Sequence, residues 1–164
     1  MIYIFDTSAL MHLFRHYYKD RFPSLWEAFD DEVDNGNIIS VREAYNEITQ
    51  GAEKDELLEW AEINKDKVFL QPTSEETDFL RVIFANAHYR QLISEKAILE
   101  GSFQADPFVI AAAKIKNACA VTLDGFNPNG KVKPHAPKIA FICQSLGVDC
   151  CNFEQFMAKA NWQF

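Results

Sequence analysis

The chain has 164 residues, of which 48% are hydrophobic, and a formal net charge of −8. This length and composition predict one compact domain over residues 1–164 and exclude a disordered chain or two small domains. The acidic balance excludes a protein that holds nucleic acid through a general basic coat, because such binding depends on neutralising phosphates, so any contact with nucleic acid must be local.

The start of the chain combines a strand-like run with a helical pattern. The residues "IYIF" are apolar throughout, as in a buried strand. Thr7 or Ser8 can then serve as the N-cap of a helix. The residues on the apolar face of this helix are Leu10, Leu13, Phe14 and Tyr17. Asp6 therefore stands where a strand becomes a helix.

Three Ser/Thr–Glu pairs at capping-box spacing predict further helix starts. They are Ser24–Glu27, Ser40–Glu43 and Thr73–Glu76. We expect the second of these helices to end at Gly51, and the third pattern to continue to Leu99 as one or two helices. Between them, "ELLEWAEINKDK" predicts a helix and "VFLQP" a strand that Pro72 stops.

The last third of the chain predicts two more strands, each preceded by a helix. "DPFVIAAAKIKNA" predicts a helix with Pro107 at its first position, and the strand "CAVTL" follows. "PKIAFICQSLG" predicts a helix bounded by its glycine, then the strand "VDCC" and a terminal helix. Apolar strands joined through helices favour an α/β fold, with a central parallel sheet of about four to five strands and helices on both faces.

The cysteines and the hydropathy of the chain predict its cellular compartment. The four cysteines lack the CxxC spacing of a zinc or redox pair and lie mostly in apolar runs, which favours reduced core thiols. A vicinal disulfide between Cys150 and Cys151 is a rarer alternative, since neighbouring strand residues point to opposite faces. No apolar stretch approaches the ~18 residues of a membrane span, and no signal-peptide pattern opens the chain. We therefore expect a soluble, cytoplasmic protein with no membrane contact.

Four acidic residues are candidates for one site. Asp6 and Asp124 each follow a predicted strand, and the carboxyl ends of parallel strands share the sheet edge where ligands bind. Asp106 precedes a proline at the start of a helix, where a plain N-cap is the alternative role. Glu47 lies one turn beyond the predicted capping residue Glu43 and has no capping role, so it is the better candidate for the site. The alternative is that Glu47 is a solvated glutamate on the helix surface.

In this order and spacing, the motifs resemble the PIN domain, whose best-known prokaryotic members are VapC-type toxins. The resemblance depends on a strand ending in Asp-Thr-Ser, a glutamate in the helix after "IIS", the "ADPFVIAAA" helix and the "VTLDGF" strand end. It spans the chain from Asp6 to Asp124. The segment "YY…FPSLW" and the stretch from Leu70 to Gly101 depart from a short toxin, so the chain looks more like a PIN-like subgroup of unknown function.

The resemblance implies a single PIN-like domain that binds Mg²⁺ or Mn²⁺ and hydrolyses RNA with a metal-activated water. The implied metal ligands and catalytic residues are Asp6, Glu47, Asp106 and Asp124. Ser8 would orient Asp6 or a metal-bound water through its hydroxyl, and Thr122 would play a similar part beside Asp124. The protein would be a toxin held silent by an antitoxin or inhibitor protein, or an RNA-processing enzyme, and PIN proteins often form homodimers through their helices.

A local group of cations follows Asp124 in the loop "GFNPNGKVKPHAPK". The cations are Lys131, Lys133, His135 and Lys138. In an acidic chain this loop predicts a place for an RNA backbone, which Arg15 on the first helix would extend. The alternative is a solvated loop rich in turn residues.

Two other functions fit parts of the pattern. A catalytically silent PIN-like module would use the acids for a structural ion or for nothing, and would act by binding a protein partner or RNA. A phosphoacceptor receiver domain also gathers acids and Mg²⁺ at strand ends. It needs an acid pair near the end of its first strand, where "IYIFDTS" offers one acid, and an acceptor aspartate after a middle strand, where "VFLQP" offers none. The endoribonuclease is thus the leading interpretation.

Overall fold

The computed structural model describes residues 1–51, 55–92 and 104–164. Within them, five strands form one all-parallel sheet in the order β3-β2-β1-β4-β5. The strands are β1 (Tyr3–Phe5), β2 (Ile38–Val41), β3 (Phe69–Leu70), β4 (Cys119–Val121) and β5 (Cys150–Cys151). The predicted α/β class with a central parallel sheet is confirmed.

Helices connect consecutive strands, as a parallel sheet requires. In the described residues these are α1 (Thr7–His16), α2 (Pro23–Asp34), α3 (Arg42–Gln50), α4 (Glu56–Ile63), α5 (Lys65–Val68), α6 (Ser74–Ala85), α7 (Ala105–Ile115) and α8 (Ile139–Leu146), with a 3₁₀ turn over Tyr89–Leu92. A last helix, α9 (Phe153–Lys159), follows β5. The helical prediction for residues 93–99 lies outside the described residues. In the part of the chain that is described, no helix has the length and apolar character needed to cross a membrane.

Both faces of the sheet are covered. Tyr3 and Phe5 are two residues apart in β1 and therefore point to the same face, where both rings pack edge-on against Phe156 of α9. Ile4 lies between them and points to the opposite face, yet it is also fully buried. Burial on both sides explains why this strand is apolar throughout.

Two predicted helix starts form capping boxes. At the start of α6, Thr73 Oγ1 accepts a hydrogen bond from the Glu76 amide at 3.2 Å, and Glu76 Oε2 accepts one from the Thr73 amide at 3.1 Å. Asn152 and Gln155 form the same reciprocal pair at the start of α9. Gly147 ends α8 with φ of 63°, in the left-handed conformation that glycine adopts without cost.

The other two predicted capping boxes are wrong, and a stronger constraint decides each case. α2 begins at Pro23, whose fixed φ suits the first helical position, so Ser24 lies inside the helix and does not cap it. Ser40 belongs to β2, where its hydroxyl donates to the carbonyl oxygen of Phe5 at 2.6 Å. α3 begins only after this strand, and Glu43 therefore has no capping role.

Two further helix starts differ from the prediction by one or two residues. Asp6 itself, rather than Thr7 or Ser8, is the N-cap of α1. α7 begins two residues before Pro107, which is its third residue and not its first. Asp106 consequently lies in the first turn of α7 and is not its N-cap.

All four cysteines are free thiols, as predicted, so the vicinal disulfide is not formed. Cys119, Cys143 and Cys151 are buried, and the Sγ atoms of Cys119 and Cys151 lie 3.4 Å apart. Thiols buried in this way act as small apolar side chains of the core.

Candidate active site

The acids converge at a topological switch point of the sheet. β1 is flanked by β2 on one side and by β4 on the other, so the connections that leave β1 and β4 diverge and open a crevice at the carboxyl ends of these strands. Asp6 directly follows β1, and Asp124 comes shortly after β4. Both residues are therefore placed by the sheet itself.

Asp6 is buried and held by hydroxyl groups. Only 3% of its surface is exposed, and its Oδ2 accepts hydrogen bonds from Ser8 Oγ at 2.6 Å and from Thr122 Oγ1 at 2.9 Å. Burial raises the pKa of Asp6, although the hydrogen bonds from Ser8 and Thr122 favour its ionised form. The structure thus places Ser8 and Thr122 where they fix the orientation of this carboxylate.

Asp124 is tied to the same hydroxyl network. Its amide donates to Thr122 Oγ1 at 2.9 Å, and Ser8 Oγ accepts a hydrogen bond from the amide of Leu123 at 3.1 Å. The Asp124 carboxylate pairs with Lys138, whose Nζ lies 3.4 Å from Oδ1. Lys138 was predicted as an RNA contact, and the structure gives it this acidic partner.

Glu47 joins three elements around the crevice. Its Oε2 accepts a hydrogen bond from Thr7 Oγ1 at 2.5 Å, and its Oε1 accepts one from the amide of Ala105 at 2.8 Å, at the start of α7. Burial raises the pKa of Glu47, while these two hydrogen bonds lower it and the charge of Asp6 raises it further. The helix glutamate is therefore turned into the site and is not solvated on the outer face of α3.

Thr7 and the Ala105 amide are the partners that sequence reasoning missed. Thr7 was considered only as a cap, although its place beside Asp6 brings it to the same edge. An amide carries no residue-specific signal, so the contribution of Ala105 had no sequence signature.

Asp106 experiences the charges of the other three acids. Burial first, and then the negative charges of Asp6, Glu47 and Asp124, raise the pKa of Asp106 to about 8, while Lys138 lowers it only in part. The Asp106 carboxylate has no hydrogen-bond partner among the described residues. The Asp106 carboxylate thus lacks the hydroxyl and amide donors that favour the charged forms of Asp6 and Glu47.

The donor set fits a hard divalent cation, because Mg²⁺ and Mn²⁺ prefer carboxylate and water oxygens. Among residues 1–51, 55–92 and 104–164, no three acidic, histidine or cysteine side chains already stand in a ligand arrangement. Three of the acids instead contact their own hydroxyl, amide or lysine partners, while their charges still act on Asp106. A bound cation would offset the repulsion among the four carboxylates, because each of them is attracted to its positive charge.

Glu43, which was expected to cap a helix, is instead a buried glutamate beside the crevice helix residue Glu47. Only 1% of its surface is exposed, and its Oε1 pairs with the Arg42 guanidinium at 2.5 Å while Oε2 has no hydrogen-bond partner. Its charge contributes to the raised pKa of Glu47, one turn further along α3. The two glutamates thus have different partners, and only Glu47 contacts the crevice.

The predicted cations belong to two different parts of the fold. Lys131, Lys133 and His135 are exposed on the loop between β4 and α8. A bridge between Phe126 and Val132 and a hydrogen bond from Gln155 Nε2 to the Gly130 carbonyl oxygen at 2.9 Å hold this loop in place. Arg15 lies elsewhere, in the wall of a cavity beside Glu47.

Comparison with known proteins gives a family without an assigned activity. One family model matches residues 3–164, which is nearly the whole chain. No curated protein matches the sequence. The chain therefore belongs to the DUF4411 family, which is described as a domain of unknown function.

Proposed function

We propose that the protein is a metal-dependent endoribonuclease of the PIN type, with Mg²⁺ or Mn²⁺ held by the four acids of the crevice. These are Asp6, Glu47, Asp106 and Asp124. The observation that supports the proposal is the crowding of these acids at one edge of the sheet, where burial first and then the charges of the other three raise the pKa of Asp106 to about 8. Carboxylates whose repulsion is not relieved by the protein are typical of sites that bind cations.

The reaction would be hydrolysis of a phosphodiester bond. An oxygen from water forms a bond to phosphorus, the bond between phosphorus and the 3′ oxygen breaks, and a proton from the water passes to that leaving oxygen. A bound cation would supply hydroxide from water near neutral pH and neutralise charge on the leaving oxygen. The products would be a 5′-phosphate and a 3′-hydroxyl.

The protein's own residues would hold the reactants in place. Ser8 and Thr122 fix Asp6, and Thr7 with the Ala105 amide fixes Glu47, so two ligands have set orientations before a cation arrives. Lys138 would release Asp124 to the cation and become free to contact a phosphate oxygen.

The biological setting in this proposal follows the same resemblance. We propose a cytoplasmic enzyme, which the four free thiols support. It would act either as the toxin of a toxin–antitoxin pair or in RNA processing, with an antitoxin or inhibitor protein and a second copy of the chain as partners. The exposed lysines after β4 would contact the RNA backbone.

A second candidate is a catalytically silent module that acts by binding a protein partner. The observation in its favour is an apolar groove of about 400 Å³ between α2 and the end of the chain. Its lining includes Tyr17, Phe22, Met157 and Trp162. Grooves of this kind can receive an apolar side chain of another protein.

Two glutamates on one helix test the leading proposal. Glu47→Gln is expected to lower cleavage of a single-stranded RNA at least about a hundredfold, because it removes one of the four charges. Glu43→Gln is expected to leave the rate unchanged and to shift the free energy of unfolding by less than about 1 kcal/mol, since its amide oxygen can still accept from Arg42. The measurement is gel analysis of RNA with Mg²⁺ and with EDTA, including the chemistry of the new ends.

The end groups separate this activity from contaminating ribonucleases. Metal-dependent hydrolysis leaves 5′-phosphates, whereas enzymes that use the 2′-hydroxyl leave cyclic phosphates. If Glu43→Gln is inactive and Glu47→Gln active, the assignment of the helix face is wrong. If wild-type protein gives no 5′-phosphate ends on any RNA, the second candidate is favoured.

A further inference from the structure

A cavity of about 360 Å³ opens directly beside Glu47. Its lining residues include Thr7, Met11 and Arg15 from α1, Glu47 and Ile48 from α3, and Leu57 from α4. The three α1 residues are spaced by four, so they form one stripe along the face of the helix. The cavity therefore runs from the acid crevice along α1 and has Arg15 at its far end.

Among the described residues, Arg15 is a cation without an ion-pair partner. It forms no ion pair with any residue of the described chain, although the protein carries a net charge of −8. Asp55 also lines the cavity, but its carboxylate accepts a hydrogen bond from the Leu58 amide at 2.9 Å and caps α4. Its guanidinium group is exposed and has no acidic partner in the described part of the chain, so it can contact an external anion.

Three apolar side chains contribute to the lining of the cavity, beside polar and charged ones. Ile48 and Leu57 are buried, and Met11 is partly buried beside them. Thioether and aliphatic side chains pack well against the face of a planar ring. A guanidinium group and apolar side chains in one cavity match the two parts of a nucleotide, its phosphate and its base.

The spacing along α1 sets where such a nucleotide would lie. Eight residues of helix separate Thr7 from Arg15, which is about 12 Å at 1.5 Å per residue. Thr7 contacts Glu47 in the crevice, so Arg15 is too distant for the phosphate that reacts and suits a phosphate further along the same strand. The size of the cavity falls in the range of about 300–1,000 Å³ that is usual for small ligands.

We propose that this cavity is a subsite for one unstacked nucleotide next to the cleaved bond, with its phosphate on Arg15 and its base on Met11, Ile48 and Leu57. The inference rests on the proposed nuclease function and specifies its substrate. A nucleotide can enter only when its base is free of pairing and stacking, so the substrate is single-stranded RNA and not a duplex.

Binding, rather than cleavage, tests this subsite. The probe is a fluorescently labelled single-stranded RNA, titrated in Mg²⁺ into protein carrying Asp106→Asn so that the RNA stays intact. Adding Arg15→Gln is expected to weaken binding about tenfold, the effect of one charge-assisted hydrogen bond. It should also reduce the slope of log affinity against log salt by about 0.7, as for one phosphate contact on a single strand.

The matched control is Arg81→Gln. Arg81 is exposed on α6 and pairs with Asp78 at 3.3 Å, outside the lining of the cavity. It is expected to change affinity less than twofold. A methylphosphonate placed at successive positions of the RNA should weaken binding at one position, and that loss should disappear when Arg15→Gln is present.

The outcomes separate this inference from the proposed function. Equal affinity of the Arg15 and Arg81 variants, or an equal loss for a duplex RNA, overturns the subsite. Absence of cleavage by wild-type protein overturns the nuclease proposal and leaves the binding result to be judged by itself.

Discussion

Asp106→Asn is expected to abolish RNA hydrolysis and, in the same protein, to increase the free energy of unfolding at pH 8. A metal-binding carboxylate supplies several kcal/mol of transition-state stabilisation through its cation, which corresponds to a loss of about a thousandfold or more in rate. The gain in stability follows from the position of Asp106, which is buried among the negative charges of the other acids and has its pKa raised to about 8. An amide of the same shape removes that repulsion.

Activity and stability thus change in opposite directions, which a merely misfolded variant would not show. The measurements are initial rates on single-stranded RNA and urea unfolding at pH 8 in the absence of metal. Asp78→Asn is the control, because Asp78 is an exposed acid on α6 paired with Arg81, and it should alter both quantities little. Retained cleavage, or a loss of stability at pH 8, would show that Asp106 is not part of a crowded metal site.

The metal-free protein is expected to lose stability as the pH rises from about 4 to 8. Unfolded Asp106 releases its proton near the ordinary pKa of 3.8, whereas the folded protein keeps it until about pH 8. In this window the folded state holds more protons than the unfolded state, so the free energy of unfolding falls as the pH rises. One such group contributes a slope of up to about 1.4 kcal/mol per pH unit.

The other acids add to the same trend. The pKa values of Asp6 and Glu47 are also raised, with burial as the main cause, so each favours the folded state at low pH and opposes it as the pH rises. Urea unfolding in EDTA at several pH values measures the slope, and Asp106→Asn should flatten it. Stability that rises between pH 5 and 8 in EDTA would contradict the proposed crowding.

The positions of the acids could be predicted because they depend on strand ends. A continuous apolar run identified β1, and a parallel sheet brings the residue after β1 to the same edge as the residues after β4. Asp6 and Asp124 follow from this rule alone. Glu47 and Asp106 also required the order and spacing of the motifs, since a helical acid by itself has many ordinary roles.

The local capping rules failed where tertiary contacts were stronger. Ser40 and Glu43 have the spacing of a capping box, but pairing of Ser40 within β2 delays the start of α3. No short pattern reveals the bond between Thr7 and Glu47, because it depends on how α1 and α3 pack across 40 positions of sequence.

Electrostatic details were also beyond the sequence. The four acids could be expected to repel one another. How well each charged carboxylate is stabilised, however, depends on which of them has hydrogen-bond donors. Asp6 and Glu47 have such donors, whereas Asp106 has none among the described residues.

Titration calorimetry of Mn²⁺ into metal-free protein at pH 7, in two buffers that differ in ionisation enthalpy, tests the central claim most directly. Wild-type protein should bind the ion and release a proton, because Asp106 still holds its proton at this pH and must lose it to act as a ligand. Asp106→Asn should bind more than about tenfold more weakly and release no such proton, since even groups that only support metal ligands are worth about 10–100-fold in affinity. Absence of binding in the wild type, or identical binding and proton release in both proteins, would contradict a metal site built from these four acids.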